Sequence, residues 1–183
     1  RVGLRPEDAM RYPHELSGGM KQRAVIAIAI SLRPSVIIAD EPTSALDVVV
    51  QRQIFDTLEQ IQDEIGASVI LIGHDMGLMA QTVNRLGVMY AGEIVELSPV
   101  RDIFKEPLHP YSRLLIASLP SLDQKGGQQG IPGMPPSLLN RPPGCPFQPR
   151  CPIATSLCTT TPPTLSLKRP NRLVACHHVD VQL

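Results

Sequence analysis

Apolar residues recur along the first hundred positions in patterns that specify alternating helices and strands. After Gly19, the run Ala24 to Ile30 is apolar on every side, which predicts a buried helix rather than an amphipathic one. Ser35 to Asp40, with Pro34 setting its start, is a short β-branched run of the kind found in the core strand of a parallel sheet. From Val48 to Ile65 the apolar residues Ile54, Leu58, Ile61 and Ile65 return at helical spacing, and Gly66 is placed to end that helix. Ser68 to Ile72 is the next buried strand, with His74 just past its end.

Further along, Asp75 to Asn84 predicts a short helix, and LGVMY and EIVEL flank a tight turn at Ala91-Gly92 as a strand pair. Ser98-Pro99 predicts a cap followed by a first-turn proline, opening a short helix through Phe104. Upstream, Pro6 to Met10 has room for one or two helical turns in a connector. Helix and strand alternating in this way imply an α/β core.

The pattern changes from about Gly126. Eleven of the nineteen prolines fall between Pro132 and Pro170, and Asp180 is the only acidic residue after Asp123. Proline at that density excludes long helices and central strands, so a linker and an irregular tail are expected. The local excess of Arg and Lys reads as a solvated surface.

Composition adds exclusions. Lys plus Arg and Asp plus Glu balance at 17 each, so total charge gives no reason to expect nucleic acid as a partner. The longest apolar run, Ala24 to Ile30, is too short to cross a bilayer, and the opening Arg-Val-Gly-Leu-Arg is not a signal peptide. Membrane association is therefore expected through another subunit.

The candidate chemistry lies between Leu16 and Asp47. Ser17, Gly18 and Gly19 sit at a helix start, where free N–H groups and the helix dipole favour phosphate. The strand that follows ends in Asp40 and Glu41, two carboxylates at the end of a buried strand, where a magnesium-associated acid and a base can meet a nucleotide. Either feature alone is weak, since many glycines make turns and many strands stop at charges. Their order, followed by PTSALD and then by a strand leading to His74, is specific.

That set resembles the catalytic half of an ATP-binding cassette (ABC) ATPase over about the first hundred residues. Leu16 to Met20 resembles the LSGGQ signature with Met20 in place of Gln; Val36 to Glu41 resembles Walker B; Ser44 to Asp47 resembles the D-loop; His74 resembles the switch histidine. The implied fold is a partial P-loop NTPase core with a parallel sheet, plus an irregular Pro/Cys-rich C-terminal tail. The resemblance implies that Asp40 supports Mg²⁺ through water, Glu41 acts as general base and His74 approaches the γ-phosphate of ATP. It further implies that Ser44 and Asp47 contact a second ATPase subunit, whose ATP is reached by Ser17, Gly18 and Gly19. Met20 replaces an amide with a thioether that donates no hydrogen bond, and activity is expected to survive because the phosphate seat is mainly backbone and Ser17.

No Gly-Lys pair occurs, so the GxxxxGK[ST] phosphate loop is missing from this sequence. The expectation is the C-terminal portion of a longer protein, binding ATP poorly or not at all by itself.

YPHEL also resembles the wider family, while GGMKQR, together with EPLHPYS at 106–112 followed by RLLIASLP, resembles the ATPase subunits of oligopeptide, dipeptide and nickel importers, in which His109-Pro110-Tyr111 begins a helix. The implied activity is ATP hydrolysis that powers import, on the cytoplasmic face of the cell membrane. Transmembrane permease subunits would be direct partners and an extracytoplasmic solute-binding protein an indirect one. The divisions expected are 1–98 for the ATPase part, 99–125 for the helical extension and 126–183 for the tail.

Cys145, Cys151, Cys158 and Cys176 all lie in the last 39 residues, with five, six and seventeen residues between successive members. In a reducing compartment, clustering in a proline-rich segment favours a shared ligand over two disulfides. Four thiolates suit zinc or an iron–sulfur cluster. No CxxC pair is present, and Cys-Pro at Cys145 and Cys151 with wide spacing inclines the reading to [4Fe–4S], which the resemblance to some dipeptide-importer ATPases also implies; zinc and unliganded thiols stay open. His177 and His178 could replace a thiol but read more simply as surface residues. Two other functions remain: a soluble ABC ATPase of DNA repair or translation, and a metal-binding regulatory module without ATPase activity.

Overall fold

A computed structural model describes residues 2–44, 46–119 and 130–180. The chain forms two compact units, Arg1–Asp75 and Met76–Leu183. The boundary expected near residue 125 falls outside the described residues.

In the first unit, two short 3₁₀ segments, Pro6–Met10 and Pro13–Glu15, lead into α1 (Gly18–Ile30). Strand β1 (Val36–Asp40), helix α2 (Val48–Ile65) and strand β2 (Ser68–Ile72) then make a β-α-β unit, the strands parallel and in register from Val36↔Ser68 to Asp40↔Ile72. Each helix boundary follows from its sequence. Ser17 caps α1 by accepting the Met20 amide at 3.3 Å, Asp47 caps α2 by accepting that of Val50 at 2.9 Å, and Gly66 ends α2 in the left-handed region that glycine enters without strain.

Helices α1 and α2 lie close together, and Gly19 is what permits it. A Cβ there would stand 2.8 Å from Val50 Cγ1. Arg23 fastens the same region, donating to the Val2 carbonyl at 2.8 Å, Thr57 Oγ1 at 3.1 Å and Gln53 Oε1 at 3.3 Å.

Two expectations about burial need correction. Only Ile26 of α1 is buried, while Val25 and Ile28 are exposed; Ile38 of β1 and Ile70 and Ile72 of β2 are exposed as well. A helix apolar all round and strands of a parallel sheet need cover on more than one side. The described part of this unit supplies one layer, through the Ile54, Leu58 and Ile61 face of α2.

The second unit opens with α3 (Met76–Thr82) and the antiparallel hairpin β3 (Arg85–Tyr90) and β4 (Glu93–Pro99). Ala91 and Gly92 both have positive φ, as a two-residue hairpin turn of this hand requires. Then come α4 (Val100–Lys105), α5 (Pro110–Ala117), the 3₁₀ turn Gln148–Arg150, α6 (Ser156–Thr160), β5 (Ser166–Arg169) and β6 (Arg172–Val174). Ser98 does not cap α4. It is buried in β4, and Pro99 stands at the helix boundary.

The tail is less irregular than its prolines imply. Strand order is β3-β4-β6-β5, so β6 is an interior strand. The proline rule still explains where this happens: β5 fits between Pro163 and Pro170, and β6 begins beyond Pro170. Where the segment has no ladder, Arg150 holds it, donating to the Ile131 and Pro132 carbonyls at 2.9 and 2.8 Å.

Candidate functional site

The parallel register places the ends of β1 and β2 side by side, and the ladder runs one step further because the Glu41 amide donates to the Ile72 carbonyl at 2.9 Å. Two residues beyond Ile72 stands His74. The two side chains meet, Glu41 Oε1 and His74 Nδ1 being 3.1 Å apart. Both face solvent, with 49% and 84% of their side-chain surface exposed. The pair lies outside the carboxyl ends of parallel strands, where α/β sheets bind ligands.

Glu41 has φ 42, in the left-handed region that costs a branched or long side chain strain. The turn that imposes it is closed by the Ser44 amide on the Glu41 carbonyl at 3.0 Å. Asp40 is the exposed last residue of β1. A carboxylate, an adjacent acid and an imidazole in one exposed cluster can orient a water and take its proton.

No hydrogen bond or ion pair among the described residues joins Ser17, Gly18 or Gly19 to Asp40, Glu41 or His74. The glycines instead border the loop before α2 and the first turn of that helix. Gly18 would put a Cβ 3.1 Å from Leu46 Cδ2, and Gly19 faces Val50. Asp47 spends its carboxylate on the α2 cap.

The second unit gathers a different group. Cys145, Cys151, Cys158 and Cys176, separated by up to 31 positions, all line one pocket. All four are free thiols. The segments carrying them are clamped together: the Cys145 amide donates to the Cys158 carbonyl at 2.8 Å, and a Cβ on Gly144 would lie 2.2 Å from that same oxygen. Burial is the main cause that pushes the Cys145 thiol up to about 11 and raises Cys151 and Cys176, with the neighbouring cysteines adding to it. His177 and His178, partly exposed, also line the pocket; His178 Nε2 lies 2.9 Å from Thr155 Oγ1 and His177 Nε2 2.9 Å from the Thr161 carbonyl.

A single-ion site is not what this geometry offers. Among the described residues, no three or more His, Cys, Asp or Glu side chains are arranged to hold one metal ion. That correction bears on zinc, whose four sulfurs must all approach one point to about 2.3 Å. The donor set present is four thiols lining one half-buried pocket.

His109 and Pro110 of the His-Pro-Tyr segment also line the pocket. His109 precedes α5 and accepts the Tyr111 amide on Nδ1 at 3.0 Å, while Pro110 takes the first helical position. Desolvation first, and the Arg113 guanidinium second, hold the imidazole down to about 4. Tyr111 packs against Tyr90 and Phe147 with tilted rings, at centroid separations of 4.6 and 5.4 Å.

Behind it lies a pair that sequence reasoning missed. Glu96 on β4 is 0% exposed, yet its carboxylate accepts the Leu108 amide at 3.0 Å, the His109 amide at 2.9 Å and Arg172 Nη2 at 3.3 Å. Arg172, on β6, also donates to the Glu106 carbonyl and to Ser98 Oγ. One buried carboxylate thus anchors the start of the His-Pro-Tyr helix to the strand that precedes Cys176. A glutamate within the apolar run EIVEL was the available signal.

Comparison with known proteins now adds to the two geometries. The profile described as "ABC transporter" matches residues 1–44, and "Oligopeptide/dipeptide transporter, C-terminal region" matches residues 95–158. The Salmonella typhimurium oligopeptide transport ATP-binding protein OppD is 50% identical over 166 residues, covering 90% of this chain and 49% of OppD. The chain belongs to the ABC transporter ATP-binding family, in its oligopeptide/dipeptide branch. The Bacillus subtilis dipeptide transport ATP-binding protein DppD is 46% identical over 93% of this chain and 51% of its own length. A probable peptide ABC transporter ATP-binding protein of Sinorhizobium fredii is 48% identical over 97% and 51%. The chain therefore spans about half the length of the curated relatives it matches.

Proposed function

We propose that this chain is the part of a peptide importer's ATP-hydrolysing subunit that supplies the signature segment, the magnesium-associated acid, the general base and the switch histidine. The observation that carries the reading is the Glu41–His74 pair at the paired ends of β1 and β2. In this reading Asp40 supports Mg²⁺ through water, and Glu41 takes the proton of the attacking water. His74, released from Glu41, turns to the γ-phosphate. Ser17, Gly18 and Gly19 serve the ATP of a second ATPase subunit, while Ser44 and Asp47 touch that subunit.

Peptide is preferred to nickel as cargo because the relatives' names specify oligopeptide and dipeptide transport. The partners are a second ATPase subunit and transmembrane permease subunits, with a solute-binding protein acting indirectly and no nucleic acid. The location is the cytoplasmic face of the membrane, as a peripheral subunit; among the described residues no helix is long and apolar enough to cross a bilayer. Without a phosphate loop of its own, this stretch is inactive alone.

The test is Glu41→Gln in a full-length subunit that carries this sequence. Steady-state hydrolysis should fall by about 10²-fold or more while ATP binding persists. Normal turnover would remove Glu41 from the role of base.

A second reading concerns the pocket: we infer that it takes a [4Fe–4S] cluster, bound by Cys145, Cys151, Cys158 and Cys176. The carrying observation is the convergence of four free thiols on one pocket. Such a group would supply electron storage or structural cross-linking outside the phosphate chemistry. Iron and acid-labile sulfide per chain, measured after anaerobic purification and again in Cys151→Ser, test it. Zinc without sulfide, or no metal, would overturn it.

A further inference from the structure

The two helices of the first unit that border the candidate chemistry run side by side in one direction. Gly19 faces Val50 near the start of both, and further along α1 Arg23 reaches Gln53 and Thr57 further along α2. Steps of three, four and seven residues stay on one face of a helix, so a single stripe of α1 meets a single stripe of α2. Their N-termini therefore lie together. Ser17 caps one and Asp47 the other, and a Cβ on Gly18 would stand 3.1 Å from the side chain of Leu46, the residue before Asp47.

Arg23 closes the pair. Its Nη1 donates to the Val2 carbonyl at 2.8 Å and to Thr57 Oγ1 at 3.1 Å, and its Nη2 donates to Gln53 Oε1 at 3.3 Å. The surroundings are arranged to receive the guanidinium. Thr57, 5% exposed, gives its own proton to the Gln53 carbonyl at 2.7 Å, which leaves a lone pair for Arg23. Gly3, at φ 72, keeps clear a space in which a Cβ would stand 2.8 Å from Nη1. A carbonyl, a hydroxyl and an amide oxygen on separate segments suit a planar fork, whereas a lysine would bring all its donors on one nitrogen. None of the hydrogen bonds of Arg23 goes to Asp40, Glu41 or His74.

We propose that Arg23 is a positioning residue for hydrolysis: it joins α1 to α2, so that the Ser17 seat and the loop ending at Asp47 meet the second ATPase subunit as one rigid edge. The proposal rests on the functional reading above, in which both groups act across that interface. The two are carried by different helices, and a displacement of about 1 Å far from the chemistry can cost about 10²-fold in rate. A fixed spacing between them is what the Arg23 bonds supply.

Arg23→Lys and Thr57→Val test it in the assembled transporter, with the full-length subunit that carries this sequence. Lysine keeps the charge and removes the fork; valine keeps the shape of Thr57 and removes the acceptor. Each should lower kcat about tenfold with KM for ATP unchanged, because the edge is used only when the two subunits close on the nucleotide. The double variant should be no slower than the slower single one, since both changes break the same link.

Glu41→Gln in the same assembly separates the possible failures. Normal hydrolysis by Glu41→Gln would overturn the functional reading and the role of Arg23 with it. An inactive Glu41→Gln beside normal kcat in both Arg23→Lys and Thr57→Val would overturn the role of Arg23 alone. A loss of kcat that only follows a loss of folded protein, judged by circular dichroism and by bound ATP per subunit, would make Arg23 a support of the fold and also overturn the proposal. Should Arg23→Lys fail to fold, Thr57→Val decides by the same readings.

Discussion

Glu41 and Glu96 show how differently the two units use a carboxylate at a strand. Glu41 sits just past the end of β1, half exposed, in a left-handed backbone conformation, with the exposed His74 as its side-chain partner. Glu96 sits within β4, fully buried, with two backbone amides and a guanidinium around it. An exposed, strained acid remains free to exchange its partner for water or a nucleotide, and contributes little to holding the fold. A buried acid with every lone pair occupied cannot move without opening its surroundings, and serves as an anchor. The first unit keeps its chemistry at the surface, whereas the second encloses its own.

The sharpest way to break that contrast is to remove the anchor. Glu96→Ala leaves Arg172 buried without its carboxylate and two amides without an acceptor, and should destabilise the second unit by about 3–5 kcal/mol, read by denaturant unfolding. Arg172→Met combined with a Glu96→Leu exchange should recover much of that loss, because the cost lies in the unpaired partner more than in the lost pair. A loss below about 1 kcal/mol for Glu96→Ala would mean that the pair is not an anchor.

His109 makes the same anchor sensitive to acid. Its imidazole is held at about 4 against an ordinary 6.5. Between those values the unfolded chain binds the proton and the folded one does not. Stability is therefore highest above pH 6.5, declines as pH falls toward about 4, and levels off below it. The charged groups beside His109 are Arg113 on its own helix and the Glu96 carboxylate that accepts its amide. The span corresponds to about 3 kcal/mol. His109→Asn should remove that slope, as followed by thermal unfolding at a series of pH values.

Gly144→Ala probes the enclosure itself. The added methyl would meet the Cys158 carbonyl, which is backbone and cannot rotate away. The Cys145–Cys158 clamp must then open, at about 1–3 kcal/mol, with loss of the pocket. The rate at which the four thiols react with a thiol reagent checks it directly. An unchanged rate would show that the two segments can separate without disturbing the four sulfurs.

The same contrast explains what could be read in the sequence. Elements of the first unit were legible because each is fixed locally: Ser17 and Asp47 cap, Gly66 stops, and β1 and β2 carry their own β-branched runs. Burial was not, because Val25, Ile28, Ile38 and Ile70 are apolar whether or not something covers them. In the second unit the hairpin at Ala91-Gly92 and the proline that opens α5 were equally local. The pairing of Glu96 with Arg172 spans 76 positions, and the gathering of four cysteines with His109 depends on β6 joining the sheet beside β4. Long-range contacts of that kind leave no periodicity to detect.

Substitutions at Glu41 give the smallest effect on stability and the clearest separation of the two roles. Glu41→Gln keeps the backbone conformation and most of the side-chain shape at an exposed position, so unfolding should shift by no more than about 0.5 kcal/mol while hydrolysis is lost. Glu41→Gly goes further. It removes the base and also relieves the left-handed backbone strain, worth about 1–2 kcal/mol for a side-chain-bearing residue, against a chain-entropy cost for glycine of about 0.5–1 kcal/mol. The net expectation is a variant slightly more stable than the natural chain and without turnover. Destabilisation by more than about 1 kcal/mol in either variant would show that Glu41 holds the ends of β1 and β2 together, and the distinction between a poised acid and an anchoring one would fail at its first residue.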